Sequence, residues 1–423
     1  MNNKSFLIAV IYLMLFFIGI YAYAMDSNGN IIIGVPTGLG SIEGRDAWRA
    51  VQLAVHEINK KGGVRLKDGY HLIKACSIDT RGAEAGVPVY DALMAVERLI
   101  LKRKPDAIVV GASRSEVLLA SMDLIAKYKI PYICTIALTP DFERKIQSNY
   151  PKYKYMFRLS IDAKYVVSYF ERLLKFLCNK KHIRKNAYIL VQDVLWTRET
   201  GRALKSWLNK NGWKVDGFDI YPMGSTDFSS SLFKIKYKKS KVMLAFFDMP
   251  ESSILIKQKY YMKVNSILCG IISPATPEYA WDVTKGAVNG MLGFVLEPGS
   301  IPIKKIPASI RFNKLYAQYW GKESTKKLSC HGAGCSYDAV YVLAKAMEKA
   351  GTTESDKVVH ALENIDMSGV VGRIRFSKEH QLIFGYDPNV AAIGCIFQWR
   401  KPGIRVPVFP LSIAESGIII DTK

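Results

Sequence analysis

The sequence predicts an α/β protein built from two successive doubly wound halves. From residue 31 onward, short apolar runs typical of buried parallel strands alternate with segments of helical periodicity. The same alternation starts again after Phe157, and 423 residues are enough for two domains. Strand–helix alternation of this kind indicates open parallel sheets with helices on both faces.

The elements follow in order along the chain. In the first half, strands are predicted at 31–35, 71–78, 107–110 and 130–135, and helices at 46–61, 89–101 and 116–128. In the second half, strands are predicted at 187–191, 214–220, 242–247 and 266–269, and helices at 199–211, 228–237 and 252–262. Turn signals such as Gly62–Gly63, which stop a helix, separate these segments.

The last third predicts helices at 310–320, 336–350 and 357–362, and strands at 373–376 and 394–399. We expect these pieces to pack back onto the two halves without forming a third sheet. The chain would then cross between the halves several times, which makes a hinge rather than a free linker.

The N-terminus has the layout of a secretory signal peptide. Lys4 precedes a nearly unbroken apolar run at 6–20, and Ala22-Tyr23-Ala24 forms a small-x-small cleavage site. The alternative is an uncleaved membrane anchor, for which the run is slightly short. No cysteine follows the run to accept a lipid, and no later stretch reaches membrane-spanning length. We therefore expect cleavage after Ala24 and a soluble mature protein in a Gram-negative periplasm, with no stable membrane insertion.

The net charge is +22, from 59 basic and 37 acidic residues, and the basic residues are scattered along the chain. Nucleic-acid binding calls for a concentrated basic stripe with groove-reading elements, so we expect no nucleic-acid partner. The charge is interpreted as a solvated basic surface, with some steering of anionic ligands.

Two of the seven cysteines are close enough in sequence to close a small loop. Cys330 and Cys335 stand in Cys-His-Gly-Ala-Gly-Cys, which predicts a disulfide. The alternatives are a metal site using His331, which lacks the second ligand pair of a zinc site, and free thiols. Cys76, Cys134 and Cys269 lie in apolar runs, which predicts that they are buried small hydrophobic residues.

Ligands of open parallel sheets bind where the carboxyl ends of strands lead into helix N-termini. The loop at 111–115 precedes a predicted helix, and Ser113 or Ser115 can cap that helix or contact a ligand. No nucleophile elbow, paired-histidine zinc motif or phosphate-binding loop occurs in the sequence. We therefore expect no catalytic residues, and neither a metal nor a cofactor.

The segment 50–64, Ala-Val-Gln-Leu-Ala-Val-His-Glu-Ile-Asn-Lys-Lys-Gly-Gly-Val, resembles the branched-chain amino-acid (leucine/isoleucine/valine) binding-protein family. The turn at 225–229, the Ser336-Tyr337-Asp338-Ala339 helix and the strand at 372–376 resemble its motifs in the same order. These are type I periplasmic binding proteins that serve ABC transporters. The resemblance implies two lobes joined by three crossings, which close over one solute and deliver it to a membrane permease. The implied lobes are 27–158 plus 299–367 and 159–298 plus 368–423.

The resemblance also implies a set of ligand-binding residues. Family positions that hold a ligand carboxylate fall on Ser115, Ala137, Leu138 and Thr139. An aromatic lid of the second lobe corresponds to Trp196, and a further family aromatic is replaced by Asp248. The family acid that holds an α-ammonium should follow Cys269-Gly270, where this chain has Ile-Ile-Ser273-Pro.

That departure widens the range of solutes. Either Asp248 takes the ammonium, or the ligand lacks one, as in the amides, urea and aromatic acids bound by relatives of this family. Trp196 packed at the lobe interface and Asp248 capping a helix are the purely structural alternatives. A sensing role, in which the protein reports solute to a membrane receptor, is the alternative to transport.

Overall fold

The computed structural model describes residues 29–82, 84 and 86–420. The predicted signal peptide and its cleavage site at Ala24 lie outside these residues. No helix within the described ranges is both long and apolar enough to cross a membrane.

The first half forms a five-stranded parallel sheet in the order β4-β1-β5-β6-β7, next to an antiparallel β2–β3 hairpin, within the described residues. Its elements are β1 (Ile31–Thr37), α1 (Ile42–Lys60), β2 (Val64–Leu66), β3 (Gly69–His71), β4 (Ile73–Asp79), α2 (Val89–Arg103), β5 (Ala107–Val110), α3 (Ser115–Tyr128), β6 (Tyr132–Cys134), α4 (Asp141–Ser148), α5 (Tyr150–Tyr153) and β7 (Met156–Arg158). All four predicted strands occur in it. The unpredicted β7 and the hairpin consist of three-residue strands, too short to show a hydrophobic period.

The second half builds a seven-stranded sheet in the order β18-β17-β12-β11-β10-β8-β9, as far as the chain is described. Its first elements are α6 (Ala163–Lys181), β8 (Asn186–Gln192), α7 (Leu195–Lys210), β9 (Lys214–Tyr221), α8 (Ser229–Lys238), β10 (Val242–Phe247), α9 (Ser253–Tyr261), β11 (Ile267–Ile272), α10 (Ala280–Val283) and β12 (Leu292–Val295). Strands β8 to β12 pair with one another in parallel. The predicted two-sheet α/β architecture is confirmed.

The last third returns to both halves. Its elements are α11 (Pro307–Trp320), α12 (Lys322–Thr325), α13 (Ala333–Ala350), α14 (Ser355–Glu363), β13 (Met367–Gly369), β14 (Gly372–Ile374), β15 (Phe384–Gly385), β16 (Ala392–Ile393), β17 (Cys395–Arg400) and β18 (Ile404–Phe409). Helix α13 packs along α1, and β17 joins the second sheet antiparallel to β12. The expectation that no third sheet forms was wrong, because β13, β14, β16 and β15 form a small four-stranded sheet. Strands of two or three residues carry too little pattern to predict it.

A buried carboxylate holds each of the three passages of the described chain between the two large sheets. After β7, Asp162 accepts from Arg158 Nη2 at 2.6 Å. After β12, Glu297 accepts the backbone N–H groups of Gly299 and Gly334. After α14, the backbone N–H groups of residues 370 and 371 both donate to Asp338 of α13, at 3.0 Å. These hydrogen bonds tie the connecting segments to the first half.

Candidate functional site

A cleft of about 370 Å³ lies between the carboxyl ends of the two parallel sheets. The first half contributes the loops after β1, β4, β5 and β6 and a residue before α13, and the second half those after β8, β9 and β10. Five of the predicted site residues line it: Ser113, Ser115, Leu138, Trp196 and Asp248. The cleft therefore joins side chains from both halves, as expected for ligands of open α/β sheets.

Two serine hydroxyls at the start of α3 define one end of the cleft. Helix α3 begins at Ser115, and its N-cap residue Arg114 makes no side-chain capping bond. Neither Ser113 nor Ser115 caps the helix, and both hydroxyl oxygens are buried without a hydrogen-bond partner among the described residues. Buried polar groups are normally paired, and a helix N-terminus adds unpaired N–H groups and a positive dipole end. This end therefore suits an anionic group such as a carboxylate.

An indole–carboxylate pair is the contribution of the second half to the cleft. Trp196 Nε1 donates to Asp248 Oδ2 at 2.6 Å, and Ser273 Oγ donates to Asp248 Oδ1 at 3.3 Å. The backbone N–H groups of Asp248 and Met249 donate to Gln192 Oε1 at 2.8 and 2.9 Å, which fixes the loop after β10. Asp248 thus does not merely cap a helix; its carboxylate is oriented by two side chains and lines the cleft.

Glu43 from the first half places a second acid near Asp248. The helix predicted to begin at residue 46 begins at Ile42, because Ser41 Oγ accepts the N–H of Gly44 at 3.0 Å. Burial, reinforced by the charge of Asp248, raises the pKa of Glu43 to about 7. Burial raises the pKa of Asp248 to about 6, against the opposing hydrogen bonds from Trp196 and Ser273. Two acids that oppose each other's ionisation in a shared cleft favour a cationic occupant.

Acidic side chains dominate the cleft as a whole. Among the described residues, five carboxylates and one guanidinium, that of Arg114, line it. The carboxylates are those of Glu43, Glu84, Glu116, Asp248 and Glu251. The expected steering of anionic ligands by the +22 net charge is therefore a property of the outer surface and not of the cleft.

The other predicted site residues lie behind the cleft wall. Ser273 contacts the side chains of the two cleft-lining acids Asp248 and Glu43. The backbone carbonyl of Ala137 accepts from Ser160 Oγ at 3.3 Å. Thr139 Oγ1 donates to Glu199 Oε2 at 3.4 Å, a bond between the two halves. Ala137 and Thr139 are thus placed to position the turn that presents Leu138.

The disulfide predicted between Cys330 and Cys335 does not form, and both thiols are free. Gly332 turns the chain with a φ of +97°, and α13 starts at the next residue. Cys330 faces Ser273 and Glu43 beside the cleft, whereas Cys335 in the first turn of α13 faces Glu297 and Asp338. The two thiols therefore point into different surroundings.

Sequence reasoning also missed Glu43, Gln192 and His331 as residues of the cleft wall. Their only sequence signal is position: each lies at or just beyond an element boundary at the carboxyl edge of a sheet or before a helix.

A family model described as a periplasmic binding protein matches residues 32–387. The chain belongs to the periplasmic binding protein family. Members of this family are solute-binding proteins of ABC transporters and not enzymes, which confirms the predicted absence of enzymatic function and the resemblance found in the sequence.

Three relatives illustrate the range of this family. The Leu/Ile/Val-binding protein BraC3 of Rhizobium johnstonii is 24% identical over 370 residues, which cover 85% of this chain and 91% of that protein. A candidate branched-chain amino acid ABC transporter protein from Silicibacter pomeroyi superposes with a TM-score of 0.78 at 18% identity, covering 93% and 99% of the two chains. A solute-binding protein from R. palustris in complex with benzoate superposes with a TM-score of 0.70 at 16% identity, covering 93% and 100%. These periplasmic binding proteins share the fold but differ in solute.

Proposed function

We propose that this periplasmic binding protein captures a zwitterionic amino acid, or a closely related small polar solute, and delivers it to an ABC transporter permease. The observation that carries the proposal is the polarity of the cleft. The hydroxyls of Ser113 and Ser115 and the α3 N-terminus line the cleft from the first half, and the Trp196–Asp248 pair lines it from the second. A carboxylate suits the first group and an ammonium the second.

This arrangement compensates for the absent family acid after Gly270. Asp248 follows β10, the strand paired with β11, and Ser273 after β11 donates to it. The ammonium position is thereby shifted by one strand while staying at the same edge of the sheet. An aliphatic or aromatic amino acid keeps both charged groups, whereas benzoate would supply no cation to Asp248.

The solute is enclosed in the cleft by closure of two lobes, which we assign to 27–158 plus 299–367 and 159–298 plus 368–423. Contacts between the lobes, such as Thr139 to Glu199, form only when the lobes approach. The closed form with solute is the form that docks on the permease. Export to the periplasm with cleavage after Ala24 belongs to the same proposal, and N-terminal sequencing of the periplasmic protein tests it.

A thermal-shift screen of residues 25–423 tests the function. The panel contains leucine, isoleucine, valine, aromatic amino acids, amides, urea and benzoate. A solute at about 100 times its dissociation constant adds roughly 2.7 kcal/mol of stability. We expect an amino-acid hit that is lost in Trp196→Ala and retained in Trp207→Phe. Trp207 is the matched control, because it lies on the same helix, contacts Lys175 and does not line the cleft. A hit with benzoate and none with amino acids would overturn the proposal.

A further inference from the structure

Three metal-ligating side chains of different chemistry converge on one wall of the cleft. Ligand atoms of Glu43, Cys330 and His331 all lie within 4.8 Å of one another. Cys330 Sγ is 3.2 Å from His331 Nδ1. In a tetrahedral zinc site, metal–ligand bonds of about 2.0–2.3 Å place neighbouring donor atoms about 3.5 Å apart. The spacing of the three groups therefore fits a single ion after small side-chain adjustments.

The backbone around these groups is held in place before any ion arrives. Asp46 Oδ2 accepts the N–H of Ser329 at 3.0 Å, and Ser329 Oγ donates to the carbonyl of His331 at 2.7 Å. A Cβ at Gly332, where φ is +97°, would lie 3.2 Å from the carbonyl oxygen of Glu43. This close passage keeps the loop before α13 against the first turn of α1. Such supporting contacts orient ligands in known metal sites.

A second observation points to a ligand at the same place. Cys330 and His331 are 0% and 6% exposed. Glu43 Oε1 is buried and has no hydrogen-bond partner among the described residues. A buried carboxylate oxygen without a partner is costly unless a cation or a donor completes it. The Glu43 carboxylate lies beside the imidazole of His331 and the thiol of Cys330.

We propose that Glu43, Cys330 and His331 bind one divalent transition-metal ion of the zinc class and leave a fourth position open to the cleft. A thiol and an imidazole select such an ion over calcium or magnesium. On coordination the Cys330 thiol gives its proton to solvent. The sequence alternative of a metal site on Cys330, His331 and Cys335 is thereby revised: Glu43 takes the place of Cys335, which faces Glu297 and Asp338.

The open position faces the second lobe. Ser273 Oγ lies 3.5 Å from Cys330 Sγ and 3.3 Å from Asp248 Oδ1. An ion at the cluster is therefore placed to meet a polar group that enters from that side. The inference goes beyond amino-acid capture and does not require it.

Titration of reduced, metal-free protein with Zn²⁺ by calorimetry, together with the visible spectrum of the Co²⁺-loaded form, tests the proposal. We expect one ion per chain and a thiolate-to-cobalt charge-transfer band. Cys330→Ser and His331→Ala should each weaken zinc binding by about 100-fold or more, since even outer partners of metal ligands contribute about 10- to 100-fold. Cys335→Ser and His56→Ala are the matched controls and should keep both the stoichiometry and the band.

Glu43→Gln keeps the shape of a side chain that is only partly buried. We therefore expect it to fold even if the variants at the buried residues Cys330 and His331 do not. It too should weaken zinc binding. Absence of stoichiometric zinc from the wild type overturns the proposal. So does binding that survives both Cys330→Ser and His331→Ala, or a cobalt spectrum without the thiolate band. Solute shifts measured in EDTA separate the two proposals: a solute hit without zinc binding overturns only the metal site, and zinc binding without a solute hit overturns only amino-acid capture.

Discussion

The indole N–H of Trp196 donates to Oδ2 of Asp248 at 2.6 Å and so joins the loop after β8 to the loop after β10. The ring also packs edge-on to Phe246, with ring centroids 6.5 Å apart. Trp196 therefore packs in the interior and orients a cleft carboxylate, and its contact with a solute stays a prediction.

Asp248→Asn should weaken binding of the amino acid found in the screen by about 10- to 100-fold, because hydrogen bonds to charged groups contribute about 1.5–3 kcal/mol. Trp196→Phe keeps an aromatic ring and loses the pyrrole ring with its N–H donor but leaves the carboxylate of Asp248 in place, so its effect should be smaller. Isothermal titration calorimetry measures both. Unchanged affinity in Asp248→Asn would place the ammonium elsewhere in the cleft.

Substitution of Ser113 or Ser115, at the start of α3, should weaken solute binding without lowering the stability of the protein. Ser113→Ala and Ser115→Ala remove hydroxyls without a partner among the described residues, so the free energy of unfolding should change by less than about 0.5 kcal/mol while solute affinity falls. Ser121→Ala, on the same helix, breaks a 2.7 Å bond to the carbonyl of Val117. It should cost about 1 kcal/mol of stability and leave affinity unchanged. Urea unfolding and calorimetry measure the two quantities, and the reverse pattern would assign the serines a structural role.

The first hinge passage should be sensitive to the loss of one charge. Arg158 and Asp162 both have 0% side-chain exposure, and Arg158 also donates to the carbonyl of Thr139 and to Gln381, each at 2.5 Å. Asp162→Ala leaves a buried guanidinium without its counter-ion, which should cost about 3–5 kcal/mol. Glu323→Ala removes an exposed partner of Lys326 and should cost less than about 1 kcal/mol. Equal costs in urea unfolding would show that the buried pair contributes no more than a surface pair.

Lys259 should make stability depend on alkaline pH. Burial lowers the pKa of Lys259 to about 8 from an ordinary value of 10.5. Between these two pKa values the unfolded chain binds more protons than the native one. The burial of charged Lys259 therefore lowers the free energy of unfolding by its full amount below pH 8, and this loss disappears as the pH rises to about 10.5. Lys259→Met should therefore be more stable than the wild type by about 1–3 kcal/mol at pH 7, and by progressively less above pH 8.

The control for this effect is Lys259→Arg, which stays charged throughout the range. Relative to the wild type, it should lose stability as the pH rises from 8 to 10.5. Chemical denaturation at several pH values measures these differences. A gain in Lys259→Met that does not vary with pH would mean that packing, not charge, is responsible.

The sequence predicted the two sheets well because continuous apolar runs such as Val242–Phe247 mark strands buried on both faces. The small sheet and β7 were not predicted, because strands of two or three residues are too short to show a hydrophobic period. The residues of the cleft were predicted where they follow a recognisable strand and missed where they do not. Trp196 and Asp248 follow recognisable strands, whereas Glu43 lies in a turn of α1 that forms because Ser41 caps the helix four residues earlier than the apolar spacing indicates.

The error at Cys330 and Cys335 has a different cause. Spacing along the chain measures how far two thiols can reach, but not which neighbours each one meets. The turn at Gly332 and the onset of α13 decide that, and they depend on the packing of α13 against α1.

The opposite signs of the surface and the cleft affect the rate of capture as well as its strength. A chain with net charge +22 repels an approaching cation, although the five carboxylates inside the cleft hold it once it arrives. Added salt shortens the range of the repulsion to about 10 Å at 0.1 M and screens the enclosed carboxylates less. The association rate of a cation should therefore rise with ionic strength, opposite to the usual trend for oppositely charged partners, while a zwitterion associates at a rate nearly independent of salt.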